Sequence, residues 1–346
     1  MSHRSISRLK DVAELSVSDD RLSSATHDEI LRGETTDIYF VKTRDVLTAG
    51  GLLDTPVTAE IFTRKPGVFA GLSEILILLA GRDISMWALA EGDNFGERET
   101  LVRIKGSYGV FGMLETVYLG MLASATAWAT AAQACVQAAD GKPVLCFGAR
   151  HVHPAVAPVM EKVAVTIGGC HAASCILGAK LAGKAPSGTV PHAAILVAGD
   201  TLKLAELYDQ TLSPDEPRLV LVDTFKDEAE ESLRVARALR DRLSGVRLDT
   251  PAERGGVTPE LVREIRWRLD QEGFSKVSIV ASGGLNPERI RLLSDAGVDA
   301  FGVGSYISNA EPRDMTMDIK EVNGHPVAKR GRLPGVQENP RLRRII

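Results

Sequence analysis

The sequence predicts an α/β protein, a parallel α/β barrel, closed or incomplete, with an appended β-rich domain built from the N- and C-terminal segments. Three observations lead there. From about residue 144 to residue 303, short apolar runs rich in β-branched residues alternate with helix-period stretches, the pattern of βα units. Within that region Val277–Ser305 reads as a complete β-α-β unit whose two strands each end in small residues and glycine. Before residue 112 and after residue 311, strand-like runs are instead punctuated by turn residues.

Residues 1–30 are polar and without pattern, and read as an N-terminal arm. No secretory leader is expected from Met1–Lys10, which lacks an apolar core. The ordered chain opens at Thr36-Asp37-Ile38-Tyr39. Strands are expected at Val57–Phe62, Met86–Ala90 and Thr100–Ile104, and a β-rich domain over 31–112 joined by 311–346. Asn323-Gly324 marks a hairpin turn in the second of these segments. The α/β barrel domain is assigned to 113–310.

At Phe111 the period becomes helical. Thr116–Ala139 contains no charged residue and has the length of a membrane span, but it is built of Ala, Thr, Ser and Gln, so a small-residue core helix fits better. Strands are then expected at 144–147, 163–167, 193–197, 218–223, 245–249, 277–281 and 299–303, with helices at 226–243 and 258–272. In the last unit Asn286 is the N-cap, Pro287 stands at N1 and Gly297 stops the helix.

Composition narrows the function classes. A formal net charge of -4 and a pI near 6.0 argue against nucleic-acid binding, and Arg341, Arg343 and Arg344 read as a solvated basic end. Cys135, Cys146, Cys170 and Cys175 lack paired metal-ligand spacing and suggest reduced thiols in a cytoplasmic protein.

In a parallel barrel the chemistry gathers at the carboxyl ends of the strands. These ends are expected to supply Phe147 to His151, Gly168 to His171, Gly188 to His192, Asp223, Arg247 to Asp249, Ser282-Gly283-Gly284 and Gly304-Ser305. Arg150 and Arg247, Asp223 and Asp249, and histidines 151, 171 and 192 would share one rim with two bare glycine turns. Such turns present backbone N–H groups to a phosphate, so the rim suits a phosphorylated sugar. No Ser-His-Asp or Cys-His pairing stands out. Gly178–Lys184 has P-loop spacing, but Ala185 occupies the place of the magnesium-binding hydroxyl. Gly302-Val303-Gly304 starts a dinucleotide fingerprint that Ile307 breaks.

FGARH at 147–151, GT-x-P-H at 188–192, LVDT at 221–224, RLD at 247–249, SGGL at 282–285 and GVGS at 302–305 occur in the order seen in nicotinate phosphoribosyltransferases. TDIY at 36–39 resembles that family's amino-terminal motif. The resemblance covers about residues 35–335.

It implies transfer of the phosphoribosyl group of phosphoribosyl pyrophosphate to nicotinate, with Mg²⁺ as cofactor and ATP as an optional co-substrate. Phe147 would stack on the pyridine ring, with Tyr39 of a second subunit on its other face, so a homodimer or higher homo-oligomer with a shared active site is implied. Arg150 would meet the nicotinate and phosphates. Thr189, Arg247 and Asp249 would hold the phosphoribosyl group, and Ser282, Gly283, Gly284, Gly304 and Ser305 its 5-phosphate. Asp223 and Asp249 would support magnesium through water. His192 matches the histidine that ATP-using members phosphorylate, although Ala193 follows where Ser or Glu is frequent. His192, Arg150 and Asp249 are thus the implied catalytic residues. The rival within the same fold plan is quinolinate phosphoribosyltransferase, whose T-R-K-T-x-P-G-type signature belongs to the central domain. Here Thr63-Arg64-Lys65-Pro66-Gly67 falls in the β-rich region. A non-catalytic sugar-phosphate-binding barrel is the alternative from another class.

Overall fold

The computed structural model describes residues 5–346, so the first four residues of the expected arm lie outside the described residues. The chain forms two compact units, one from the residues through Thr130 with Glu311–Ile346, the other Ala131–Ala310. The dividing point lies inside one long helix, Glu115–Ala138.

In chain order the strands are β1 (Pro56–Thr63), β2 (Gly67–Val68), β3 (Ile84–Ala88), β4 (Asn94–Phe95), β5 (Val102–Ser107), β6 (Val144–Cys146), β7 (Ala172–Ala173) and β8 (Arg218–Leu221). There follow β9 (Leu243–Leu248), β10 (Ser278–Ala281), β11 (Ala300–Val303), β12 (Met315–Val322), β13 (His325–Pro326) and β14 (Arg343–Arg344).

The first unit carries an antiparallel sheet in the order β13-β12-β1-β5-β3-β14. Ile61, Phe69, Met86, Leu101, Ile104, Phe111 and Tyr118 form its core. The turn at Asn323-Gly324 joins β12 to β13, as the dipeptide predicts. One expectation changes here and another is sharpened. The arm is not patternless: it holds the helices Leu9–Glu14 and His27–Leu31, the second opened by a capping box in which Thr26 N donates to Glu29 at 2.7 Å. The basic end is exposed as expected, yet it is not free, because the backbone of Arg343–Arg344 pairs with β3 and Arg341 bonds Glu99 at 2.8 Å. The strand and acid that hold this tail lie far away in sequence, so charge alone does not reveal its pairing.

The second unit is a six-stranded, wholly parallel sheet in the order β7-β6-β11-β10-β9-β8. With β7 and β8 at its edges, it is an incomplete barrel. Two expected strands are helices. Residues 163–167 end the helix Ala157–Thr166, in which Ala157, Met160, Glu161 and Ala164 recur at helical spacing on a buried stripe. Residues 193–197 lie in His192–Ala198, which Gly199 terminates at φ 79. In both segments β-branched side chains imitate a strand; buried periodicity decides otherwise in the first, whereas in the second only Ile195 is buried. The strand actually used in that region is the two-residue β7.

The helical run Tyr108–Ala138, which contains Glu115–Ala138, is long and apolar enough to cross a membrane by length and composition alone. Leu122, Ala125, Ala129, Ala132 and Cys135 give it the buried stripe of a core helix.

Candidate active site

Each parallel strand releases its side chains at the same end of the sheet. Phe147 to Arg150 follow β6, Ser174 follows β7, Asp223 follows β8, Asp249 follows β9, Ser282 to Gly284 follow β10, and Gly304-Ser305 follow β11. They surround an open cavity of about 360 Å³, completed by Gly188, Thr189, Pro191 and His192 from the loop before the helix His192–Ala198.

The structure therefore brings together Phe147, Arg150, His151, Thr189, His192, Arg247, Asp249, Ser282, Gly283, Gly284, Gly304 and Ser305 around the cavity, but not Asp223, which bonds His192 without lining it, nor Gly168 to His171, which precede β7. The segment Gly168 to His171 follows a helix, so it is not a strand end as expected. Tyr39 lies in the first unit, half exposed on the helix Ile38–Ala49, with its ring 4.1 Å from that of Phe40.

Arg247 organises the floor. Its Nε donates to Ser282 Oγ at 2.9 Å and its Nη1 to Thr189 Oγ1 at 2.8 Å, while Nη2 stands 3.6 Å from Asp249 Oδ2. Its guanidinium lies 5.1 Å from the Phe147 ring centroid, a cation–π distance that covers one ring face. Burial lowers its pKa from the guanidinium value, with Asp249 and Asp223 opposing. Phe147 is seated against the backbone of β11: a Cβ on Gly302 would stand 2.5 Å from Phe147 Cε2, so only glycine fits.

Arg150 differs from Arg247. It is exposed on the rim, and no hydrogen bond or ion pair engages it among the described residues. The lining contains no lysine, so Arg150 and Arg247 are its fixed cations.

On the opposite wall His192 Nε2 is 3.0 Å from Asp223 Oδ2. Asp223 Oδ1 is buried without a partner among the described residues, and burial raises the carboxyl above its ordinary value although His192 pulls it down. Gly283 and Gly284 adopt φ of 83° and 61°, which turns the chain sharply after β10 and exposes backbone on the rim.

Sequence reasoning missed the supports. Glu161 and Glu228 are buried carboxylates: Glu161 accepts from Ala149 N and Ser174 Oγ, and Glu228 accepts from Thr250 Oγ1 at 2.9 Å, next to Asp249. The signal was present as acids at apolar-face positions of their helices.

These features match known proteins. Residues 37–126 match the quinolinate phosphoribosyl transferase N-terminal domain family and residues 128–318 the corresponding C-terminal domain family. A nicotinate phosphoribosyltransferase of Mycobacterium tuberculosis, pncB1, is 31% identical over 252 residues, 70% of this chain and 54% of the relative. The chain thus spans about half the length of that curated relative. The crystal structure of a nicotinate-nucleotide pyrophosphorylase from Pyrococcus furiosus is 42% identical with a TM-score of 0.88, covering 92% of this chain and 82% of that one. Human nicotinic acid phosphoribosyltransferase shares the fold at a TM-score of 0.70 and 20% identity, over 87% of this chain and 77% of its own. With both domain families matched in order and the half-barrel sheet in place, the chain belongs to the quinolinate phosphoribosyl transferase family of type II phosphoribosyltransferases.

Proposed function

We propose that this chain transfers the phosphoribosyl group of phosphoribosyl pyrophosphate to nicotinate, giving nicotinate mononucleotide and pyrophosphate. The observation that carries the acceptor choice is the state of the two arginines. Arg247 is committed to Thr189 and Ser282 and lies close to Asp249, which leaves Arg150 as the unengaged guanidinium on the rim. One free fork suits one carboxylate. Quinolinate carries two.

In this reaction the C1–O bond to pyrophosphate breaks as the C1–N bond to the pyridine forms. The ring nitrogen attacks with a lone pair that carries no proton, so no general base is required. What the protein supplies is position and charge. Ser282 to Gly284 and Gly304-Ser305 receive the 5-phosphate on backbone N–H groups, Asp249 accepts from the ribose hydroxyls, and Phe147 packs on the pyridine with the face that Arg247 leaves open.

Magnesium fits as an ion carried mainly by substrate phosphates and water, since no cluster of three or more His, Cys, Asp or Glu is present among the described residues. Asp249 and the unpartnered Asp223 Oδ1 would hold it through water, and it would neutralise the leaving pyrophosphate. Coupling to ATP would act through His192, which Asp223 orients.

The second reading is transfer to quinolinate with loss of carbon dioxide, favoured by the 42% identity to the Pyrococcus furiosus protein. Incubating the chain with phosphoribosyl pyrophosphate, Mg²⁺ and each pyridine acid, with and without ATP, tests both. Mononucleotide from nicotinate supports the proposal, and product from quinolinate alone with carbon dioxide release replaces it. A shared site makes a further demand. Mixing Tyr39→Ala and Arg150→Ala subunits should restore part of the activity that each variant lacks alone, and no restoration would rule out a contribution from Tyr39 across subunits.

A further inference from the structure

We infer that Glu161 is a positioning residue for the acceptor end of the cavity, acting on Arg150 and Ser174 through the loops that carry them. The inference rests on the proposed transfer to a pyridine acid and deepens it. Glu161 lies in the middle of the helix Ala157–Thr166 and is fully buried. Its Oε1 accepts from Ala149 N at 3.1 Å and from Ser174 Oγ at 2.9 Å, and its Oε2 accepts from Cys175 N at 2.5 Å. Ala149 immediately precedes Arg150, and both Ala149 and Ser174 line the cavity.

Three segments converge on this one carboxylate: the loop after β6, the end of β7, and the helix Ile176–Leu181 that Cys175 begins. The packing is close. A Cβ on Gly178 of that helix would stand 3.2 Å from Glu161 Cβ and 3.1 Å from Pro158 O.

The chemistry of the group explains why a carboxylate stands here. Burying a carboxylate is costly unless hydrogen bonds compensate, and no Lys or Arg pairs with Glu161 among the described residues. A tie between two loops needs only a neutral acceptor. Three donors arriving on both oxygens need a group that accepts at both, and a glutamine would turn an NH₂ toward the Cys175 N–H or toward the donors on the other side. Glu161 therefore fixes the loop after β6 relative to the end of β7. That is the distance across which an acceptor would be held between Arg150 and Ser174. The phosphate turns after β10 and β11 make no hydrogen bond to it, so they are expected to be indifferent to its loss.

The test is binding and kinetics of Glu161→Gln in the full chain. Phosphoribosyl pyrophosphate and the pyridine acid that the unaltered chain uses are titrated separately by calorimetry, and KM is measured for each. The expected result is a roughly tenfold weaker acceptor with phosphoribosyl pyrophosphate within about twofold of the unaltered chain, the size of one or two lost charge-assisted hydrogen bonds. Equal weakening of both ligands, or of neither, would overturn the inference and leave Glu161 a structural residue. Should Glu161→Gln fail to fold, Glu161→Asp keeps the charge but shortens its reach by one methylene, and the same split, about threefold, is expected. Because the acceptor is whichever acid the unaltered chain uses, a preference for quinolinate would overturn the nicotinate reading and leave the Glu161 comparison intact.

Discussion

Ser282 and Asp249 are joined by a 2.7 Å hydrogen bond across the ends of two neighbouring strands, the hydroxyl donating to Oδ1 while it accepts Nε–H of Arg247. The bond ties the phosphate turn after β10 to the carboxylate after β9. Cation, hydroxyl and carboxylate are thus set before any substrate arrives, which is preorganisation of the sugar site. Removing the link in Ser282→Ala is expected to raise the KM for phosphoribosyl pyrophosphate about tenfold, and Asp249→Asn to lower kcat/KM about a hundredfold, the effects of losing a hydroxyl bonded to charged groups and of losing the carboxylate charge itself. Steady-state kinetics with each substrate varied in turn checks both.

Gly302→Ala tests the seat of Phe147. The added Cβ would meet Phe147 Cε2 at 2.5 Å and Cδ2 at 2.6 Å, inside any tolerable contact. The ring must move, at a cost of about 1–3 kcal/mol for overpacking. Thermal melts should show that loss and kinetics a raised acceptor KM. Adding Phe147→Leu should recover stability without recovering activity.

Much of this site is legible in the sequence because a parallel strand announces its own end. The runs ending at Cys146, Leu248, Ala281 and Val303 are short and β-branched, and the residue after each is small, aromatic or acidic. What the sequence hides is the opposite kind of feature. β7 is only Ala172–Ala173 and carries no β-branched residue, while Val-Ala-Val-Thr-Ile at 163–167 and Ala-Ala-Ile-Leu-Val at 193–197 imitate strands inside helices. Glu161 and Glu228 stand at apolar-face positions of their helices, but the donors that hold them, Ser174 and Thr250, come from other segments and show only in the fold. The pairing of Arg343–Arg344 with β3 depends on contacts more than 250 residues apart, which local pattern does not encode.

Asp223 should trade stability for function. Burial holds its carboxyl above the ordinary 3.8. An acid whose folded pKa exceeds its unfolded value stabilises the fold fully only below the unfolded value, and that contribution is lost as pH rises through the folded one. The ionised group is therefore a cost near neutrality. Asp223→Asn should melt at the same temperature as the unaltered chain or higher at pH 7.5, with the difference shrinking toward pH 4, while turnover falls at least tenfold. A melting point several degrees lower at pH 7.5 would show that the bond to His192 outweighs burial.

Glu115 offers the same sign in a different window. Burial, with Asp318 adding to it, raises its carboxyl from 4.5 to about 7. Its stabilising contribution is complete below pH 4.5 and is lost as pH rises through about 7. Glu115→Gln should thus stabilise the protein at pH 8 by about 1–2 kcal/mol, the linkage energy reduced for solvent screening, and leave it unchanged near pH 4.5. Denaturant titrations at the two pH values decide it.

The most direct measurement is the product formed when the chain meets phosphoribosyl pyrophosphate, Mg²⁺ and an equimolar mixture of nicotinate and quinolinate. Nicotinate mononucleotide and pyrophosphate, without carbon dioxide, is the predicted result, and Arg150→Ala should abolish it while leaving the melting temperature within about 1–2 °C, as expected for an exposed side chain. Carbon dioxide released in step with mononucleotide, or no mononucleotide from either acid, would contradict it.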